Sequence, residues 1–153
     1  MRDDDLLFMP AVRTAALIRR RQLSPVEYLK AVLAAAGPAQ ARLNCFAVVM
    51  AEAAMAAARA AEQAVMDGMP LGPLHGVPVT IKDLLDVTGV PTRHGSAIFA
   101  DAGPAQADEA MVARLRAAGA ILWAKTTTPE FGVKGLTDGP AFGITRNPWD
   151  PAR

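Results

Sequence analysis

Apolar residues along the chain recur with helical spacing in some stretches and alternate with polar residues in others. Residues 11–20 place Val12, Ala15, Ala16 and Ile18 near one helical face, with arginines in the last turn where the helix dipole favours cations. Ser24-Pro25-Val26-Glu27 is a helix start signal. The serine hydroxyl can accept from the Glu27 N–H, Glu27 can return the bond, and Pro25 takes the first helical position. The predicted helix runs to about Ala36 and stops at Gly37-Pro38. Residues 43–50 (LNCFAVVM) are β-branched and aromatic and predict a strand. Residues 51–66 are dominated by alanine, contain no breaker, and predict a helix ended near Gly68.

Residues 70–95 turn rich in proline and glycine. Inside them Val77, Val79 and Ile81 alternate with Pro78, Thr80 and Lys82, which is the period of a strand. Asp108 is placed to cap a helix through about Ala118, with Met111, Val112 and Leu115 on one face and Gly119 stopping it. Ala120–Lys125 (AILWAK) predicts a short apolar strand. Strand, helix, strand in that order implies a βαβ-like crossover and an α/β fold whose sheet is covered by helices. The expected organisation is a helical segment over 1–69 and the first part of an α/β core, incomplete, over 70–153.

Composition narrows the classes. Apolar residues make up 52% of the 153 and charged residues 20%, with a net charge of +1. Disorder requires the opposite balance, and nucleic-acid binding through phosphates requires a basic excess that is missing here. The single cysteine, Cys45, precludes an internal disulfide and suits a reducing, cytoplasmic setting. Asp3, Asp4 and Asp5 oppose a secretory leader. The longest apolar run, Cys45–Ala51, is far short of the roughly 18 residues of a membrane helix, so no membrane association is expected.

Lys82 closes the alternating strand and Asp83 follows it. Only a neutral lysine serves as a general base. A free lysine, with a pKa of ~10.4, is neutral about once in a few thousand molecules at pH 7, and moving it near 7 takes roughly 4–5 kcal/mol of differential solvation. A catalytic Lys82 is therefore expected in a dry, enclosed cleft.

The residues around it carry a resemblance. Gly72-Pro73-Leu74-His75-Gly76-Val77-Pro78-Val79-Thr80-Ile81-Lys82-Asp83 resembles the lysine-bearing segment of the amidase signature family. The likeness continues through Gly89-Val90-Pro91-Thr92, the stretch Val112 to Ala120, Lys125-Thr126 with Pro129-Glu130-Phe131, and Phe142-Gly143 with Thr145-Arg146-Asn147-Pro148-Trp149-Asp150. It extends to the N-terminal helices and covers most of residues 11–153.

The resemblance implies a mixed β-sheet sandwiched by helices and hydrolysis of small-molecule carboxylic amides by a lysine, a cis-serine and a nucleophilic serine, without metal or organic cofactor. Lys82 matches the lysine. The loop from Phe131 to Gly135 matches a segment bordering the substrate pocket, with Gly132 nearest the carbonyl end. The family's two serines lie in a Gly/Ser-rich region just after the segment matching Asn147 to Arg153. Only Ser24 and Ser96 occur here, one assigned to a helix cap and the other matching no catalytic position. The expectation is an N-terminal fragment of an amidase, inactive alone. Alternatives are a non-catalytic binding module, half of a split enzyme, or the ammonia-producing subunit of a glutamyl-tRNA amidotransferase. A severed fragment would associate as a homodimer or through its exposed surface. Thr127 and Gly139 stand where many members carry asparagine, and Lys134 adds a charge to the pocket loop.

Other constellations are weaker. Cys45, His75, His94 and Asp83 lack local metal-ligand spacing. His75, in a Gly/Pro turn, is expected to make a structural hydrogen bond, and Cys45 to be a small core side chain. Gly132-Val133-Lys134-Gly135 has the GxxG form of KH loops, but Pro129 and Gly139-Pro140 argue for loop rather than the flanking helices a KH domain needs. Asp108-Glu109 is the acidic start expected of a helix.

Overall fold

A computed structural model describes residues 6–152. The helices are α1 (Ala11–Arg19), α2 (Pro25–Leu43), α3 (Ala51–Met66) and α4 (Ala110–Ala117), and the strands are β1 (Phe46–Val49), β2 (Pro78–Lys82) and β3 (Ile121–Thr126). The three strands form one sheet in the order β1-β3-β2. β1 pairs antiparallel with β3, Phe46 opposite Thr126 and Val49 opposite Ala124. The Ile121 N–H donates to the Val77 carbonyl and the Asp83 N–H to the Thr126 carbonyl. Those bonds ascend both strands together, so β2 and β3 run parallel, and α4 is their crossover. The result is a small mixed sheet in an α/β fold.

The chain divides into two compact units. One gathers the chain up to Ala36 with Met50–Val79 and Arg114–Trp123; the other gathers Gly37–Val49, Thr80–Ala113 and the chain from Ala124 onward. In the first, Ile18, Leu23, Tyr28 and Val65 form a buried cluster backed by Leu17, Val32 and Leu71. α3 buries Ala54, Ala58, Ala61 and Val65 on one face, the spacing the alanine-rich sequence predicts. Its end is closed by the Gly68 N–H on the Val65 carbonyl and the Met69 N–H on the Ala64 carbonyl. No helix among the described residues is long and apolar enough to cross a membrane.

Three local expectations change. α2 does not stop at Gly37-Pro38 but continues to Leu43 with Pro38 inside it. Proline removes one N–H, and it clashes with the Cβ of the preceding residue. Gly37 has no Cβ to meet the proline ring, so the helix passes through. At the other end the Ser24 hydroxyl accepts from the Glu27 N–H as the start signal predicts, and from the Val26 N–H as well, 3.1 Å each. It gives its own proton to Glu62 on α3 at 2.5 Å, tying the cap to the neighbouring helix. On α4 only Val112 is fully buried, whereas Met111 is 52% exposed. Asp108 accepts from the Thr88 N–H at 2.7 Å, and the helix begins two residues later.

Candidate active site

The pleat of β2 decides which of its terminal residues meets water. Successive side chains point to opposite faces, so Ile81 and Asp83 are buried while Lys82 between them is exposed. Lys82 lines a cleft of about 530 Å³ that lies wholly within the second unit. Thr127, Pro129, Lys134, Thr145 and Arg146 share its wall. The enclosure expected of a catalytic lysine is therefore not supplied by these residues; the cleft is open at Lys82.

The dry lysine is a different one. Lys125 on β3 is fully buried, and its ammonium lies 2.7 Å from the Asp83 carboxylate, whose side chain is equally buried. The same ammonium donates to Thr92 Oγ1 at 2.7 Å and to the Pro91 carbonyl at 2.9 Å. Two of its three N–H donors are used in these hydrogen bonds, and the contact with Asp83 Oδ1 is an ion pair. The other Asp83 oxygen accepts from the Arg93 N–H at 3.1 Å, and the Asp83 carbonyl accepts from the His94 N–H. The residue after Lys82 is thus fastened to β3 and to the 91–94 loop at once. The sequence signal for this pair is a charge at the C-terminal end of each of two strands, Asp83 after Lys82 and Lys125 after Ala124.

Two left-handed elbows form the next layer. His94-Gly95 and Phe131-Gly132 all have positive φ, 52° and 67° in the first and 50° and 70° in the second. The Phe131 N–H donates to the His94 carbonyl at 2.8 Å. A Cβ on Gly95 would lie 2.5 Å from the Thr128 carbonyl oxygen and 2.6 Å from that of Pro129. Glycine is required there both for its φ and for the space. The His94 ring meets Phe99 edge-on at 5.2 Å and stacks over Phe131 at 6.4 Å. Ser96, fully buried, donates to Glu130 at 2.6 Å and accepts from the Ile98 N–H. It is a structural hydroxyl beneath the elbows. None of this aromatic grouping is legible from spacing, because its members lie in three separate loop segments.

Gly132 stands at the second elbow, with the Leu84 side chain where its Cβ would be. It is not itself in the cleft wall, although Lys134 and Gly135 just after it are. On the floor, Thr127 Oγ1 and Thr145 Oγ1 are 2.7 Å apart, and Thr145 donates to the Asn44 carbonyl at 2.8 Å. Cys45 accepts from the Thr127 N–H through its carbonyl; its half-buried thiol is pushed up from its ordinary pKa of 9.0 by desolvation, partly countered by a backbone hydrogen bond. His75 makes the structural bond expected of it, Nε2 to the Ala61 carbonyl at 2.9 Å. Among the described residues no group of three or more His, Cys, Asp or Glu side chains is placed to hold a metal.

The chain matches the profile of the Amidase family over residues 27–153, and it belongs to that family. It is 43% identical over 149 residues, 97% of its length, to a glutamyl-tRNA(Gln) amidotransferase subunit of Salinispora tropica. It is also 43% identical over 141 residues, 92% of its length, to an indoleacetamide hydrolase of Bradyrhizobium diazoefficiens. Among solved structures it superposes on a bacterial aryl acylamidase of the amidase signature enzymes with a TM-score of 0.86 at 28% identity, covering 94% of this chain and 30% of that one. The chain spans about 30% of the length of these relatives: 30% of the Salinispora protein and 27% of the Bradyrhizobium one.

Proposed function

We propose that this chain is the N-terminal, lysine-bearing part of a cytoplasmic hydrolase of small carboxylic amides. Residues 70–153 begin its α/β core, and the mostly helical residues 1–69 lead into it. The observation that carries this reading is the contrast between the two strand-end lysines. Lys125 spends its ammonium inside the protein on Asp83, Thr92 and Pro91. Lys82 presents its ammonium to a cleft large enough for a small substrate.

In the proposed reaction a serine hydroxyl attacks the amide carbonyl, and its proton passes through a cis-serine to the neutral amine of Lys82. The tetrahedral intermediate collapses as that proton returns to the leaving nitrogen, and water then releases the carboxylate. Both serines belong to the remaining part of the family's architecture, which would also close the cleft over Lys82 and desolvate it. Gly132, at the elbow beside the cleft, leaves its backbone approachable near the substrate carbonyl. Residues 1–153 alone are expected to release no ammonia from simple amides.

A second reading, that of an amidotransferase component, is favoured by one observation: its Salinispora representative is as similar to this chain as the indoleacetamide hydrolase is. That function would require partner proteins.

The test is a graft in which residues 1–153 replace the matching segment of the Bradyrhizobium indoleacetamide hydrolase. Amide hydrolysis should appear in the graft, and Lys82→Ala should lower kcat by about 10³ or more. A Lys82→Ala graft that keeps its activity would remove the basis of the assignment.

A further inference from the structure

Among the described residues, three cations line the cleft of the second unit and no carboxylate does: Lys82, Lys134 and Arg146 stand in the wall with Thr127, Thr137 and Asn147. Lys134 is ion-paired with Asp138, but the two side chains are 48% and 40% exposed. Exposed pairs of this kind are weak because water screens them and both side chains stay mobile, so an incoming anion displaces Asp138 at little cost. Arg146 is held in place by its backbone N–H on the Leu43 carbonyl at 2.8 Å and by Nη1 on the Pro151 carbonyl at 3.0 Å. Those partners are neutral, and they leave most of the guanidinium fork and all of its charge available. Like charges in a concave wall concentrate their field in the cavity.

We propose that the cleft selects amides whose other end carries a carboxylate, received by Arg146 and Lys134. This rests on the reading of Lys82 as proton acceptor: the amide end lies toward Lys82 and the anionic end toward the other two cations. A planar guanidinium matches a carboxylate with two parallel hydrogen bonds, and the nearby ammonium adds a flexible point charge. The substrate class is the monoamides of small dicarboxylic acids.

The experiment uses this chain and the probe succinamate, with neutral butanamide as its control. Binding is followed by the NMR amide signals of Gly135, Thr137 and Asn147. Succinamate should bind about tenfold or more tighter than butanamide, and the difference should vanish near 1 M salt, where the Debye length is ~3 Å. Arg146→Gln and Lys134→Gln should each weaken succinamate several-fold and leave butanamide unchanged. Lys134→Gln remains decisive if Arg146→Gln loosens its own segment, because the Lys134 ion pair is with Asp138 on an exposed stretch. Equal binding of the two probes, no binding of succinamate, or Lys134→Gln binding it as the parent does would overturn the proposal. No step requires catalysis, so the Lys82→Ala graft is scored separately.

Discussion

The Asp83 carboxylate and the Lys125 ammonium lie 2.7 Å apart with neither side chain reaching water. Desolvating two charges costs several kcal/mol, which mutual attraction recovers only when the remaining donors and acceptors are satisfied. Here Thr92 and Pro91 take hydrogen bonds from the ammonium and the Arg93 N–H serves one carboxylate oxygen, while Asp83 Oδ1 has the ion pair and no hydrogen bond. Lys125→Met strands a carboxylate in the interior and should destabilise the chain by about 3–5 kcal/mol in urea denaturation. Asp83→Leu combined with Lys125→Met should recover most of that loss. A small deficit should remain, since the Pro91 carbonyl and Arg93 N–H lose their partners. A double variant no more stable than Lys125→Met would show that the charges themselves are not what the fold depends on.

The two elbow glycines should respond differently to a methyl group. At Gly95 the new Cβ meets two backbone carbonyls at 2.5–2.6 Å, which cannot move without unmaking the loop. At Gly132 it meets only the Leu84 Cδ1 at 2.7 Å, the far end of a flexible side chain. Both alanines carry the strain of a positive φ. Gly95→Ala should therefore cost at least about 2 kcal/mol, and Gly132→Ala about 1 kcal/mol. Thermal melts of the two variants side by side test the order; the reverse order would contradict the packing at Gly95.

Cys45 gives the fold an alkaline sensitivity. Burial raises its pKa in the folded chain above the ordinary 9.0. The folded state thus holds this proton more tightly than the unfolded one. The stabilisation is fully present below the unfolded pKa and declines as pH rises from there through the folded value. Stability should fall as pH rises past about 9, and Cys45→Ala should flatten part of that fall (measured against the same variant at pH 7). Alkylation of Cys45 at pH 8 should likewise be slower than that of a free thiol, because less thiolate is present. An unchanged alkaline slope in Cys45→Ala would sink this account.

Much of the fold could be read from local pattern, and the site only in part. α3 occupies residues 51–66 as its uninterrupted alanine run predicts, because no competing residue or breaker lies inside it. β2, α4 and β3 follow the order that implied a crossover. α2 overran its predicted stop because the signal Gly-Pro conceals a compensation: the residue that ends helices stands beside the one residue that lets a proline through. The Lys82 position at a strand end was legible, but its openness was not, since burial depends on what packs over a strand. Lys125 escaped notice for the converse reason. A lysine closing an apolar run looks like a solvated end, and its three partners lie far away in sequence, at Asp83, Pro91 and Thr92. The ring contacts of His94, Phe99 and Phe131 depend on backbone turns with positive φ, which only glycine announces in sequence.

Thr127 and Thr145 carry one hydroxyl hydrogen apiece. The Asn44 carbonyl can only accept, so it claims the hydrogen of Thr145. Thr127 reaches two acceptors, Thr145 Oγ1 at 2.7 Å and the Cys45 carbonyl at 3.4 Å, and its single hydrogen can serve only one of them at a time. Both hydroxyls are thereby committed to the backbone at Asn44 and Cys45, so this stretch of the cleft floor is riveted to the residues that lead into β1.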